Sequence, residues 1–544
     1  MFPATIIPWK NLTAGVAGIA GAVLLLWAYY HSFCPWPWLC EVPFWHPGHL
    51  TMELPLILAV LLTCAWPAGR GRLAWFVGGL AGAVPLIGTY YVIAAFCRAF
   101  NRVPTLADLG LLPELIRADP ALGLGASAAL AALLAPPVAV FALWCRGCSW
   151  SERGGAVLLR TVLTAVLVTA FWVQPMRIWW QDRVGFHFWS DLYSIKDFGH
   201  LATCWEVAAR AEAAQERLAS MPSPRDAPPF PSGALAHPRN VYLLLLESFV
   251  DPRDFLPPID EIVPAELATA LPPDGRFDRC ISPVFGGYSA QAEFELLTGA
   301  PALAAAGPID YQWFGSRPCS GLVASAAAAG YRTVLAYGAS DEFFNAPAAH
   351  AALGFSERHY SNADAWGERN PADVFITDAD LTSAVLDHLH LQQGADRRPT
   401  LTLIVGMEGH EREATTFPRD RARFPDVLRH PDHAIHELAN LFHWRAKAVA
   451  GLLTRLACED PEAVVLLMGD HQPAILAQVP LGIDRYEVPA VLLVGGRRID
   501  INGRRVRDLP WLLWEILSGS PCPVPGDTAL HKRYEAIISN QLRR

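Results

Sequence analysis

Residues 241–247 read VYLLLLE: six apolar residues in a row, then a single glutamate. A strand with one wet face would alternate polar and apolar residues. An unbroken run of this length fits a strand buried on both faces of a parallel sheet. Similar runs follow at 332–336 (RTVLA), 401–405 (LTLIV), 463–467 (AVVLL) and 490–494 (AVLLV). Helical patterns separate them, among them 377–390 (TDADLTSAVLDHLH) and 438–456. Strands alternating with helices predict an α/β domain with a mainly parallel sheet covered by helices on both faces. On its N-terminal side, 221–238 (MPSPRDAPPFPSGALAHP) is rich in proline and small residues and reads as a linker.

Upstream of the linker the composition changes. Of the 95 charged residues in the 544-residue chain, 16 fall in the first 180 positions. That is about 9% there against about 22% in the remainder, where the soluble norm is about 25%. Five apolar runs, at 12–30, 50–66, 73–97, 122–144 and 156–176, approach the length of about 17–25 residues that spans a bilayer. The second is the weakest, because Glu53 and Pro55 stand at its start. The first is too long for a signal peptide and precedes four further spans, so it reads as an uncleaved anchor. Lys10, the Arg70–Arg72 pair and Arg146 with Arg153 fall in alternate loops, whereas 32–48 has no Lys or Arg and carries Trp36, Trp38 and Trp45. This places the N-terminus inside and, after five spans, the large C-terminal domain outside. The expected organisation is a five-span transmembrane domain at 1–178, interfacial helices and linker at 179–238, and an extracytoplasmic catalytic domain at 239–544. A net charge of −9 argues against a nucleic-acid partner. Cys145 and Cys148 form a CxxC with no second Cys or His pair beside it and read as two reduced thiols.

In parallel α/β sheets the chemistry lies beyond the carboxyl ends of the strands. Here those ends carry Glu247, the turn 406–410 (GMEGH) with His410, and 469–471 (GDH) with Asp470 and His471. Taken singly, each has a plain structural reading as a helix-cap neighbour or a solvated turn. Two carboxylates and an imidazole at one sheet edge could together bind a divalent metal. Between the first two strands, Gly286 and Gly287 precede Ser289 and a helical stretch in ISPVFGGYSAQAEFELLTG. A serine there is either an ordinary helix N-cap or a hydroxyl poised at the positive end of a helix dipole, where phosphate oxygens are favoured.

Glu247 in LLLLESF, Ser289 in FGGYSAQAEFELLTG, His410 in GMEGH and Asp470–His471 in LLMGDHQP occur in that order. This combination resembles the lipoteichoic acid synthase-like, phosphoglycerol transferase branch of the alkaline phosphatase and sulfatase superfamily. The resemblance covers about residues 240–518 and the five-span portion. It implies one catalytic divalent metal, Mn2+ ahead of Mg2+ or Zn2+, held by Glu247, Ser289, Asp470 and His471. It also implies Ser289 as nucleophile and His410 on the phosphate or leaving group. The implied reaction moves the phosphoglycerol head group of phosphatidylglycerol through a covalent Ser289 intermediate to an envelope glycan, at the bacterial inner membrane with the catalytic domain in the periplasm.

The sequence departs from the branch at two places. The family's FWNR-like segment corresponds to 337–346 (YGASDEFFNA), where Phe344 and Asn345 would bind substrate and Ala346 takes the place of the arginine. Arg332, Arg412 or another arginine would then have to supply the bidentate phosphate grip. After His410 come Glu411, Arg412 and Glu413 rather than a Pro-aromatic pair. The alternatives are a phosphoethanolamine transferase, a sulfatase or phosphodiesterase-type hydrolase, and a membrane-anchored protein with a degenerate site. A sulfatase nucleophile needs a CxPxR-like context that Ala290–Glu293 lacks.

Overall fold

The computed structural model describes residues 191–220, 235–256, 262–271, 276–302, 320–339, 346–361, 376–393, 396–410, 422–479 and 481–522, with a few isolated positions elsewhere. The chain divides into two compact units, Met1–Arg210 and Ala211–Arg543 apart from the last residue. The five apolar runs lie almost wholly outside the described residues. Among the described residues no helix is long and apolar enough to cross a membrane.

In the first unit the described helices are α1 (Asp191–Phe198) and the beginning of α2 (His200–Ser220). Glu53, the residue that weakens the second apolar run, accepts hydrogen bonds from the backbone N–H groups of Leu201 and Ala202 at 3.0 and 2.8 Å. It thereby satisfies two of the donors that a helix start leaves open.

The second unit is built on an eight-stranded sheet. In chain order its elements are β1 (Val241–Leu246), α3 (Ala265–Ala270), β2 (Asp278–Ile281), α4 (Ser289–Thr298), α5 (Leu322–Ala328), β3 (Arg332–Tyr337), α6 (Ala346–Leu353), β4 (Glu357–Tyr360), α7 (Asp378–Gln393), β5 (Thr400–Gly406), α8 (His433–Glu459), β6 (Val464–Gly469), β7 (Glu487–Val494), β8 (Arg497–Ile499) and α9 (Leu509–Ser518). The strand order is β2-β7-β6-β1-β5-β3-β4, with β8 also on β7.

The five apolar runs of the C-terminal unit, at 241–246, 332–336, 401–405, 463–467 and 490–494, form β1, β3, β5, β6 and β7, as the sequence predicts. The sheet is mixed rather than mainly parallel. β6, β1, β5, β3 and β4 pair in parallel, but β7 runs antiparallel to β6, to β2 and to β8. The cause is the connection. A parallel step needs a crossover, usually helical, whereas β6 reaches β7 through a loop whose described helical piece is one short 3-10 segment at Ala474–Gln478.

Helices cover both faces. Val241, Leu243 and Leu245 point to the side packed by α4, α5, α6 and α9, through Phe294, Leu297, Leu322, Leu353 and Trp514. Tyr242, Leu244 and Leu246 point to the side packed by α3, α7 and α8, through Leu267, Leu381, Val385, Phe442 and Leu453. β1 is buried along its whole length, which is why its sequence does not alternate. Phe230, inside the proline-rich linker, is buried against Trp511 and Trp514 of α9, with ring centroids 4.4 and 5.4 Å apart.

Register fixes the site. Leu246, the last residue of β1, stands level with Gly406 of β5 on one side and Gly469 of β6 on the other. Three neighbouring strands therefore end in line, and the residues that follow them emerge at one place.

Candidate active site

Glu247, the turn Met407–His410 and Asp470–His471 are what those three strand ends deliver. The chain leaves the sheet sharply after β1: Ser248 has a φ of 51°, a left-handed conformation that non-glycine residues rarely adopt. The Ser248 N–H donates to Asp470 Oδ1 at 2.7 Å, and its hydroxyl donates to Glu247 Oε1 at 3.0 Å. The Asp470 N–H reaches back to the Leu246 carbonyl at 3.2 Å. These bonds tie the β1 and β6 ends together.

Ser289 arrives from the opposite direction, as the first residue of α4. The N-cap is Tyr288, in the left-handed region at φ 61°, ψ 43°, and it makes no side-chain cap bond. Ser289 is thus not serving as an ordinary cap. Its hydroxyl donates to Glu247 Oε2 at 2.7 Å and lies 3.3 Å from His471 Nε2. The turn that presents it is pinned by the Gly286 N–H, which donates to the Gln472 carbonyl at 2.8 Å, and Gly287 takes a φ of 149° that a side chain would oppose. Strained backbone on both sides of the reacting groups is the kind of feature that clusters at active sites.

His471 Nε2 is 3.2 Å from Glu247 Oε1 and 3.5 Å from Asp470 Oδ2. Its other nitrogen, Nδ1, meets the Gln472 carbonyl at 3.0 Å, which makes Nδ1 the donor and aims Nε2 at the carboxylates. Burial acts to raise the Glu247 carboxyl, but the imidazole of His471 and the charge of His410 outweigh it and hold it well below the usual range. Burial and the neighbouring Glu247 charge push Asp470 up. Burial opposes a charged His471, yet the two carboxylates prevail and raise its pKa to about 10.

Two buried carboxylates this close require positive charge. Glu247, Asp470 and His471, all buried, offer ligand atoms within 4.8 Å of one another. Two carboxylates, one imidazole and a hydroxyl make a mixed oxygen–nitrogen set suited to a divalent ion. These residues fit the metal that the sequence motifs imply.

All four expected ligands thus come together. His410 stands at the rim, half-buried, at the end of the turn after β5, with its backbone N–H on the Met407 carbonyl at 3.1 Å. Phe344, Asn345 and Arg412 lie outside the described residues, and Ala346 is the buried first residue of α6. Arg332 does not supply the missing grip. It starts β3, and its Nε and one Nη donate to the two oxygens of Glu357 at 2.8 Å each.

The motifs do not reveal what holds Glu247 in place. Arg445, buried in α8, donates through Nη1 to the Glu247 carbonyl and through Nε to Asp378 Oδ2, both at 2.6 Å. The backbone N–H of Asp378, at the start of α7, in turn donates to Glu408 Oε2 at 2.9 Å. The only sequence signal is a charged residue on the apolar face of α8, between Phe442 and Val449.

Residues 280–497, which span β2 to β8, match the sulfatase family model. This stretch of the C-terminal unit is thus similar to the sulfatases of the alkaline phosphatase and sulfatase superfamily. A curated relative from Rhizobium meliloti (strain 1021), which carries the provisional name cyclic beta-1,2-glucan modification protein, is 28% identical over 252 residues, covering 45% of this chain and 38% of that protein. The chain thus spans about two fifths of the length of the curated relative it matches. Among solved structures, the lipoteichoic acid synthase LtaP of Listeria monocytogenes is similar at 16% identity and a TM-score of 0.44, over 59% of this chain and 81% of that one. The phosphoethanolamine transferase EptA of Neisseria meningitidis is similar at 12% identity and a TM-score of 0.47, over 94% of each chain.

Proposed function

We propose that this chain is a membrane-bound, metal-dependent phosphoglycerol transferase of the lipoteichoic acid synthase-like branch. The observation that carries the reading is the Ser289 hydroxyl, 2.7 Å from Glu247 Oε2 and 3.3 Å from His471 Nε2 at the start of a buried helix. A hydroxyl so placed has a carboxylate for its proton and the positive end of a helix dipole for the phosphate it attacks.

In the first step Ser289 Oγ attacks the phosphorus of phosphatidylglycerol. The new Oγ–P bond replaces the P–O bond to diacylglycerol, which leaves with a proton that His410, at the rim, can hand over. In the second step an acceptor hydroxyl gives its proton to His410 and attacks the phosphoserine; the Oγ–P bond breaks, and Ser289 recovers its proton from Glu247. A divalent ion held by Glu247, Asp470, His471 and Ser289 would neutralise developing negative charge and lower the hydroxyl pKa. Mn2+ is our first choice, with Mg2+ or Zn2+ behind it. Five N-terminal spans would keep the domain on the outer face of the inner membrane, within reach of lipid head groups. The acceptor is an envelope glycan. The name of the Rhizobium relative makes a cyclic glucan the first acceptor to try.

The test is head-group release. Full-length protein is mixed with Mn2+ and phosphatidylglycerol labelled in its glycerol head group, and diacylglycerol is followed, with Ser289→Ala as control. Release by the unmodified protein alone supports the donor and the nucleophile. No release with metal bound moves phosphatidylethanolamine and soluble phosphate or sulfate esters forward. Absence of both release and metal binding favours a degenerate site.

A further inference from the structure

We propose that a second metal site lies at the outer edge of the sheet, formed by Glu357, His359 and His388 and selective for a nitrogen-preferring transition-metal ion of the Zn2+ type. Glu357 and His359 are two apart on β4, so they share one face of the strand. Their register partners on β3 are Val334 and Ala336, which belong to the core under α7 and α8. His388 comes from α7, the helix over that face.

The three side chains offer one ligand atom each, all within 4.8 Å of one another. The two imidazole rings meet at a tilt of 63° with centroids 4.6 Å apart. His388 Nε2 is shielded from solvent and makes no hydrogen bond among the described residues. It stands 3.9 Å from Glu357 Oε2. That is too long for a hydrogen bond, yet within the span of two ligands each about 2.0–2.1 Å from a shared zinc ion. The residues themselves are half-buried, which leaves an ion a way in.

Arg332 is the strongest argument against the site, since it pairs with both oxygens of Glu357. A carboxylate oxygen has a second lone pair, and a hydrogen-bonded carboxylate beside imidazoles is a common way to orient metal ligands. The guanidinium charge nevertheless weakens the carboxylate's pull on a cation. The imidazoles must then supply most of the affinity, and this predicts the selectivity. Imidazole suits zinc, nickel and copper, whereas magnesium and manganese prefer oxygen. The Glu247, Asp470 and His471 set, richer in oxygen, has the opposite bias. β4 stands three strands from β1, roughly 14 Å at the usual strand spacing, so the two sites are separate. An ion here would fasten α7 to an edge strand whose only ladder partner among the described residues is β3.

The experiment uses full-length, detergent-solubilised protein stripped with a chelator and titrated with Zn2+ or Mn2+. Bound ion per chain is then counted. The proposal expects His388→Gln and His359→Gln each to bind one Zn2+ fewer than the unmodified protein while keeping its Mn2+ equivalent, which also shows that the variants are folded. It expects Asp470→Asn to lose the Mn2+ equivalent and keep the edge Zn2+. In Co2+-loaded protein, the visible absorption that survives Asp470→Asn should disappear with His388→Gln. Zn2+ binding that is unchanged in both histidine variants, or lost entirely in Asp470→Asn alone, overturns the proposal.

Discussion

Arg445 holds Glu247 by its backbone rather than its carboxylate, through an Nη1–H that donates to the Glu247 carbonyl at 2.6 Å. The same guanidinium is paired with Asp378 at 2.6 Å, and both side chains are about 1% exposed. A ligand held by its main chain keeps its carboxylate oxygens for Ser289, His471 and an ion. Arg445→Met would leave Asp378 charged and unpaired in the interior, a change that costs about 3–5 kcal/mol. Thermal unfolding of the full-length protein should show this loss. Adding Asp378→Asn should recover part of it, because the two sites are directly coupled. A double variant as unstable as the sum of the singles would show that the pair is not coupled.

Gly409 is where the turn after β5 crosses the same arginine. A Cβ at this position would lie 2.1 Å from the Glu247 carbonyl oxygen and 2.2 Å from Arg445 Nη1. Neither can yield without loosening the bond between them. Gly409→Ala should therefore destabilise by about 1–3 kcal/mol through overpacking. It should also weaken metal binding, since Glu247 moves with its carbonyl. Equal Mn2+ affinity in variant and unmodified protein would contradict this.

The strand ends were legible in the sequence because burial on both faces removes alternation, so each core strand is a plain apolar run that stops at a polar residue. Glu247, Asp470 and His471 stand at such stops. β2 (DRCI), β4 (ERHY) and β8 (RRI) were not legible, because short strands at the margins of the sheet carry charge and show no apolar run. The direction of β7 was also hidden, since an apolar run is the same read either way and only its pairing decides. Arg445 could not be assigned from sequence, as it sits 198 residues from the carbonyl it binds. That Ser289 is not the helix cap is likewise invisible in the sequence, because only the fold makes Tyr288 the N-cap and turns the Ser289 hydroxyl to Glu247.

Metal affinity should rise with pH. Without an ion, His471 is held protonated by two carboxylates, with a pKa of about 10, and an ion must displace that proton to use Nε2 as a ligand. Below pH 10 the apparent Mn2+ affinity should climb by up to about tenfold per pH unit, one proton being released per ion. Asp470, also pushed up, adds a second proton at the acidic end. The metal-free protein should show the reverse trend in stability. A histidine whose folded pKa is raised contributes fully below its unfolded value of about 6.5 and loses that contribution as pH rises toward 10. Titrations at pH 6, 7, 8 and 9, with proton release measured in two buffers, check the first trend. Melting temperatures with chelator present check the second. A flat affinity would mean that His471 is neutral before the ion arrives.

Glu293 lies one turn along α4 from Ser289 and is about 1% exposed. Its two oxygens meet the Tyr311 hydroxyl at 2.8 Å and His350 Nε2 at 2.9 Å. His350 continues through Nδ1 to the Tyr360 hydroxyl at 3.1 Å. This buried chain joins the helix that carries Ser289 to α6 and β4. Glu293→Leu would strip one partner from each of two buried polar groups, at about 1–3 kcal/mol apiece. It would also let the first turn of α4 shift, and a misplacement of about 1 Å at a nucleophile can cost about 10²-fold in rate. The expected result is a lower melting temperature and a lower kcat for head-group release, with KM and Mn2+ binding little changed. Glu293→Gln, which keeps an acceptor and the shape, should restore most of both. If Glu293→Leu changed KM alone, Glu293 would be contacting substrate; if it changed stability alone, the chain of bonds would support the fold without positioning Ser289.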